Sequence, residues 1–420
     1  MAASPQPAPR YHDLDALRAV ATLLGIALHG AFFVLPELIY PWPVHDKSVG
    51  NDPTYHIILD ITHGLRTPVF YLLSGLFSVL LWERRGLHSL GMQRLKRLGL
   101  PLAVGCFTII PLTALAMALT SGREHPYDFP FWVLPFIWLF ATMHLWFLWN
   151  LLLMVGVFII LAKPAIVLAP LFRLLTRLGL RFDVSRLDRL GVQFRNPKIW
   201  LLTIPISAAA SLLMQEPIFG ADSLQSLIPK PATFVFYTCF FFFGAFLYQQ
   251  GVAVRRWWTI ALLPAAITFC IGFLLLREYA TEAKPFTHGE LPELVWMFSN
   301  RLTAISALAE TAFAWLTCFG MMGLFRWLLS RPSFTVRYLS DASYWIYLAH
   351  LPLIVVAHWL VVDWPISYHL KYILACVGVT VVLVISYQLF IRYTFIGNVL
   401  NGPRTRRQSQ PRPTATQSAS

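Results

Sequence analysis

Charge is what this sequence has least of: only 13% of its 420 residues are Asp, Glu, Lys or Arg, against about a quarter in a soluble domain. With 57% of the chain hydrophobic and a mean hydropathy of +0.61, a globular fold in water is excluded. Paired cysteines are missing too. Cys106, Cys239, Cys270, Cys318 and Cys376 each fall inside an apolar block, and none has a neighbour at metal-ligand spacing. A disulfide framework or a zinc site is therefore not expected, and the five read as small apolar side chains. The stretch before Leu14 has neither a basic n-region nor a small-residue cleavage site, so the first apolar block is expected to stay in place as a helix. Internal repeats are absent, and no connection between blocks is long enough to fold as a soluble domain.

What the chain does have is apolar blocks of about twenty residues, the length that crosses roughly 30 Å of hydrocarbon. Ten can be drawn, over 15–35, 56–81, 99–121, 135–162, 199–214, 232–249, 258–276, 301–325, 339–361 and 369–391; the fifth is the shortest. The expected fold class is all-α, a polytopic membrane bundle of about ten transmembrane helices over 15–393. Disordered tails are expected over 1–14 and 394–420. Connections on one side of the bundle carry 24 Lys and Arg, whereas the opposite loops carry six. Excess positive charge marks the cytoplasmic face, so both termini are expected in the cytoplasm, in a bacterial inner membrane. The +13 net charge is then a topology signal and gives no support to nucleic-acid binding. The basic stretch 163–198, with Arg173, Arg177, Arg181, Arg186 and Arg189, reads as an interfacial segment against anionic lipid.

Ionisable residues inside the spans are costly there and point to function. They include Arg18, Arg66, Asp60, Glu310, His29, His63, His144 and His350; Arg301, at a span end, is explained by snorkelling. Arg18 and His29 are eleven residues apart. Eleven steps of 100° end about 20° past three turns, which puts both on one face about 16 Å apart. A cation near the cytoplasmic end suits an anionic donor, and an imidazole deeper in suits proton abstraction. His56, Asp60, His63 and Arg66 share a face of the second span. Asp60 beside His63 could fix an imidazole tautomer, or pair with Arg66 to lock two helices. A metal site from His56, Asp60 and His63 lacks a completing motif, so no metal and no bound cofactor is expected. Arg94 and Arg97 share a face before Pro101 and could grip a phosphate, although topology anchoring would also explain them. His144, followed by Trp146, and His350 add imidazoles near mid-membrane, with Glu310 a possible partner for either.

Leu14-Asp15-Ala16-Leu17-Arg18-Ala19 with His29 resembles the opening of acyltransferase family 3 membrane proteins. So does His63-Gly-Leu-Arg66-Thr67-Pro-Val-Phe70-Tyr71-Leu-Leu-Ser74-Gly75. Arg94-x-x-Arg97, His144-Leu-Trp146-Phe-Leu and Ala342-Ser343-Tyr-Trp-Ile-Tyr-Leu-Ala-His350-Leu-Pro352 continue the resemblance in order, from about Tyr11 to Tyr393. It implies acyl transfer from cytoplasmic acyl-CoA, with succinyl-CoA the expected co-substrate, to hydroxyls of periplasmic glucan. Family roles then map onto Arg18 and His29 for catalysis and onto Arg94 and Arg97 for the basic pair. Arg66-Thr67 and Phe70-Tyr71 depart from the usual Arg-Met and aromatic steps, and the departures bear on substrate identity.

The expected site is therefore His29, Asp60 and His63 as catalytic groups. Arg18, Arg66, Arg94 and Arg97 would bind the donor, and His144, Trp146 and His350 would line the substrate pocket. Expected partners are membrane lipid, the glycan and acyl-CoA. Alternatives are O-acetyl transfer to another envelope polysaccharide, or export of a glucan or other solute.

Overall fold

Hydrocarbon offers no partner to a bare peptide group, so a spanning chain must close its hydrogen bonds internally. All regular structure among the described residues is accordingly helical. The computed structural model describes residues 11–35, 42–49, 52–121, 142–163, 200–214, 219–220, 227–282 and 301–402. In chain order the helices are α1 (His12–Ala31), α2 (Thr54–Arg94), α3 (Leu100–Phe107), α4 (Ile109–Thr120), α5 (Trp146–Ala162) and α6 (Thr203–Ser211). They continue as α7 (Pro231–Gln249), α8 (Leu262–Glu282), α9 (Arg301–Leu328), α10 (Phe334–Val361), α11 (Tyr368–Ser386) and α12 (Phe395–Asn401). A π-turn, Leu95–Gly99, follows α2, and a 3-10 turn, Met143–Leu145, leads into α5.

Eight helical stretches among the described residues are long and apolar enough to cross a membrane, which makes this a multi-pass membrane protein. The difference from the ten expected has two sources. Thr54–Thr120 runs on as one stretch of 67 residues, roughly 100 Å at the helical rise and far too long for one pass. Gly86, with φ +80°, interrupts α2 there, so two expected spans lie within one stretch. The weak fifth block forms α6, which has nine residues and is too short to cross alone.

Other boundaries moved as well. The charged connection 82–98, left between two expected spans, is helical except at Gly86. α1 begins at His12, inside the expected N-terminal tail. The expected C-terminal tail contains α12, whose Gly397 and Leu400 are buried and whose Asn401 Nδ2 donates to the Asp341 carbonyl at 2.8 Å. The tails 1–10 and 403–420 and the basic segment from 164 to 199 lie outside the described residues.

Helix α1 packs against α2, α9, α10 and α11. Where α2 meets α7 the backbones touch: a Cβ on Gly75 would overlap the Phe241 carbonyl, and one on Gly244 the Leu72 carbonyl. Small residues at such crossings let membrane helices approach closely, and Gly75 belongs to the Leu-Leu-Ser-Gly motif. Beyond the C-terminal end of α1, residues 42–49 fold back over the bundle. The Asp46 amide donates to the Phe33 carbonyl at 3.0 Å, and its carboxylate meets the buried Lys371 ammonium at 2.8 Å. Burial would raise the Asp46 pKa, but hydrogen bonds from Lys371 and Ser48 outweigh it and hold the carboxyl below its ordinary range. Trp42 Nε1 donates to His358 Nδ1 at 3.1 Å, and Phe33 stacks on the same imidazole.

Candidate active site

A cavity of about 660 Å³ lies between α1, α2, α5 and α10. Arg84, Arg85 and Asn401 line one end of it, the end that carries the basic connections. At the other stand His29, His144 and His350; along α1 the lining runs from Asp15 to His29 and stops. Arg18, Arg66, Arg94, Arg97 and Trp146 also line it, so eight of the ten expected site residues share one space.

His29 Nδ1 lies 2.9 Å from His350 Nε2. On the far side of that ring, His350 Nδ1 is 2.8 Å from the Tyr347 carbonyl and 3.2 Å from the Ile346 carbonyl. A carbonyl can only accept, so Nδ1 of His350 carries a proton. With one proton on each ring, His350 Nε2 is then an acceptor and His29 Nδ1 the donor to it. That leaves the lone pair of His29 on Nε2. Backbone carbonyls thus fix the tautomer of the second ring, and the second ring fixes the first.

Helix α10 also orients His144. Pro352 has no N–H, so the carbonyl one turn back, Leu348, loses its ladder donor. His144 Nε2 donates to that carbonyl at 3.0 Å, and the Tyr347 hydroxyl donates to the His144 carbonyl at 2.7 Å. Within Tyr347-Leu-Ala-His350-Leu-Pro352, every polar member therefore has a structural task.

At the basic end, Arg18 Nη2 donates to Ser340 Oγ at 2.9 Å and lies 3.4 Å from Asp15 Oδ1. Arg94 is brought back alongside α2: its Nη2 donates to Ser78 Oγ at 3.0 Å. The Tyr344 hydroxyl donates to the Arg97 carbonyl and tethers the π-turn to α10. Arg66 sits deep, its guanidinium against α1 at Gly25, where a Cβ would overlap Nη1.

Asp60 and His63 are not brought to His29. Neither lines this cavity; Asp60 is buried elsewhere on α2. His63 Nδ1 donates to the Phe219 carbonyl at 3.2 Å. The Phe219–Gly220 segment packs onto α2 at His63 and Gly64 and claims that imidazole. Helical periodicity gave His63 a compatible depth and face, but only the tertiary fold assigns its partner. Glu310, weighed as a partner for His144 or His350, instead shares a separate small cavity with His63, Ser211 and Thr311 and accepts from Ser306 Oγ at 3.3 Å.

Ser78, Ser340, Tyr344 and the carbonyls of Tyr347 and Leu348 were not foreseen. Pro352 carried the one legible signal, because a proline inside an apolar span marks the carbonyl it frees.

The model of a family described as "Acyltransferase domain" matches residues 11–388. A glucans biosynthesis protein C of Salmonella typhimurium is 26% identical over 431 residues, covering 96% of this chain and 98% of the relative. Its counterpart in Salmonella schwarzengrund is 27% identical over 373 residues, with 83% of each chain covered. No solved structure matches.

Proposed function

This chain belongs to the acyltransferase family whose model spans residues 11–388, and we propose that it moves an acyl group from cytoplasmic acyl-CoA, with succinyl-CoA as donor, to hydroxyls of a periplasmic glucan. The glycan is suggested by the name of the relatives, glucans biosynthesis protein C. The observation that carries the reading is one cavity with arginines at its basic end and a histidine pair at the opposite end. Arg18 and His29 are about 16 Å apart along α1, a separation suited to an extended pantetheine arm. Arg94, held at Ser78, is roughly 18 Å along α2 from Arg66 by the same rise.

In this reading Arg18, Arg94 and Arg97 hold the donor phosphates from the cytoplasmic side, the side to which the excess of basic residues points. His29 Nε2 takes the proton of the acceptor hydroxyl. The oxygen attacks the thioester carbonyl, the C–S bond breaks, and the imidazolium returns its proton to the leaving thiolate. His144, Trp146 and His350 shape the pocket. The protein itself supplies the acid–base group, so the reaction needs the co-substrate and no resident cofactor.

The test is transfer of label from succinyl-CoA to purified periplasmic glucan by the full chain in proteoliposomes. Label on the glycan is expected. If CoA is not consumed and the deletion strain retains unmodified glucan inside the cell, the reading fails in favour of an exporter. Transfer from acetyl-CoA alone would instead make the enzyme an O-acetyltransferase.

A further inference from the structure

We propose that Arg66 receives a carboxylate at the distal end of the donor's acyl group, so that the site selects thioesters of dicarboxylic acids over neutral acyl thioesters of the same length. The inference rests on the acyl-CoA reading above and adds to it the residue that recognises the acyl end of the donor, at the histidine end of the cavity.

Among the described residues Arg66 has no counter-ion. Among the described residues nothing forms an ion pair or hydrogen bond with its guanidinium, and Nε is buried without a partner. The carboxylates that line the cavity, Asp15 and Asp341, are both at the other end. Asp15 is beside Arg18, and Asp341 follows the serine that binds Arg18. Around Arg66 the described residues offer imidazoles and phenols: its charge reaches His29, His144 and His350, and Tyr347 and Tyr237 lie within the same reach. A guanidinium held at membrane depth with no anion among the described residues is costly, and removing that cost is work a ligand can do. The fork of a guanidinium matches a carboxylate in two parallel hydrogen bonds.

The position decides which part of the donor supplies the charge. The guanidinium lies against Gly25, one helical turn before His29 on α1. With the phosphates at Arg18, Arg94 and Arg97, about 10 Å of α1 separates Arg18 from Gly25, and roughly 18 Å of α2 separates Ser78, which holds Arg94, from Arg66. Only the acyl end of the donor reaches Arg66. The other group within range is the thioester oxygen, which every acyl-CoA shares.

Equilibrium binding to the full chain in nanodiscs separates these cases, using CoA, butyryl-CoA and succinyl-CoA without glycan. Wild type should bind succinyl-CoA about ten- to a hundredfold more tightly than butyryl-CoA, the range of a charge-assisted pair. Arg66→Gln should erase that preference while its affinity for butyryl-CoA stays within about twofold, which also reports folding. Arg66→Lys, which keeps the charge and loses the fork, should retain part of the preference and decides the matter should the glutamine variant not fold. Equal affinity of wild type for the two thioesters overturns the proposal. So does an equal loss for both in Arg66→Gln, which would assign the guanidinium to the shared thioester oxygen. Failure of wild type to bind any of the three compounds removes the acyl-CoA reading itself.

Discussion

At the scale of single residues, the arrangement turns on which nitrogen of His29 carries the proton. The Tyr347 carbonyl holds the proton of His350 on Nδ1, which draws the His29 proton to its own Nδ1. His350→Ala removes that acceptor, so the His29 proton can move to Nε2 and the lone pair turns away from the substrate. His29→Gln keeps hydrogen bonding but cannot act as a base at neutral pH, and should lower kcat by about 10²–10⁴-fold. His350→Ala should lower kcat by roughly 10²-fold and displace the pH–rate profile. His350→Gln should restore part of the rate, because its amide oxygen can still accept from His29. Single-turnover transfer to glucan, with melting temperature as a folding control, measures all three. A His350→Ala enzyme with wild-type kcat and an unshifted profile would reduce that ring to packing. The shared face of Arg18 and His29 was legible because it follows from helical period alone. The His29–His350 pair joins residues 321 positions apart, and no period within one helix reports that.

Elements, rather than side chains, decide whether Arg94 and Arg97 can serve a donor. In sequence they are part of a basic connection, for which membrane anchoring is the favoured reading of the pair taken alone. In the fold, Gly86 turns the chain, α2 resumes, and the π-turn Leu95–Gly99 brings both arginines to the cavity wall. Gly86 has open space around it: a Cβ there would meet nothing within 4 Å. Its requirement is the φ of +80° with ψ 167°, an essentially glycine-only conformation costing roughly 1–3 kcal/mol for other residues. Gly86→Ala should therefore loosen the return of α2 and raise the apparent KM for acyl-CoA, with a smaller effect on kcat. Ser78→Ala, which removes the hydrogen bond to Arg94 without touching the backbone, should act in the same direction. Steady-state kinetics over a series of donor concentrations checks both. Unchanged KM in the two variants would return the arginines to membrane anchoring. The glycine itself was visible in Glu83-Arg84-Arg85-Gly86, yet the helix on either side of it was not, since a charged, apolar-poor stretch reads as a loop when hydropathy is the guide.

For the whole molecule, hydropathy located the crossings well because in lipid the backbone itself enforces helix over each apolar block. It failed where length and not composition was limiting, in the nine-residue α6, and where one helix runs through two expected spans. The remaining global property is direction. Twenty-four Lys and Arg on one side against six on the other argue that Arg84, Arg94 and Arg97 face the cytoplasm, and the proposed chemistry needs that direction, because acyl-CoA is made there while the glycan is outside. Two exposed positions at opposite ends of the bundle report it: Lys47, next to the Asp46–Lys371 pair, and His88, just past Gly86. In intact cells, an impermeant maleimide should label Lys47→Cys, and His88→Cys only after the membrane is opened. Wild type measures the background from the native thiols, of which Cys270 is exposed on α8. Both substitutions replace solvent-exposed side chains, so neither should perturb insertion. Labelling of His88→Cys in closed cells would turn the cavity mouth to the outside. The arginines would then face a compartment without acyl-CoA, and the donor, not only the orientation, would have to be reassigned.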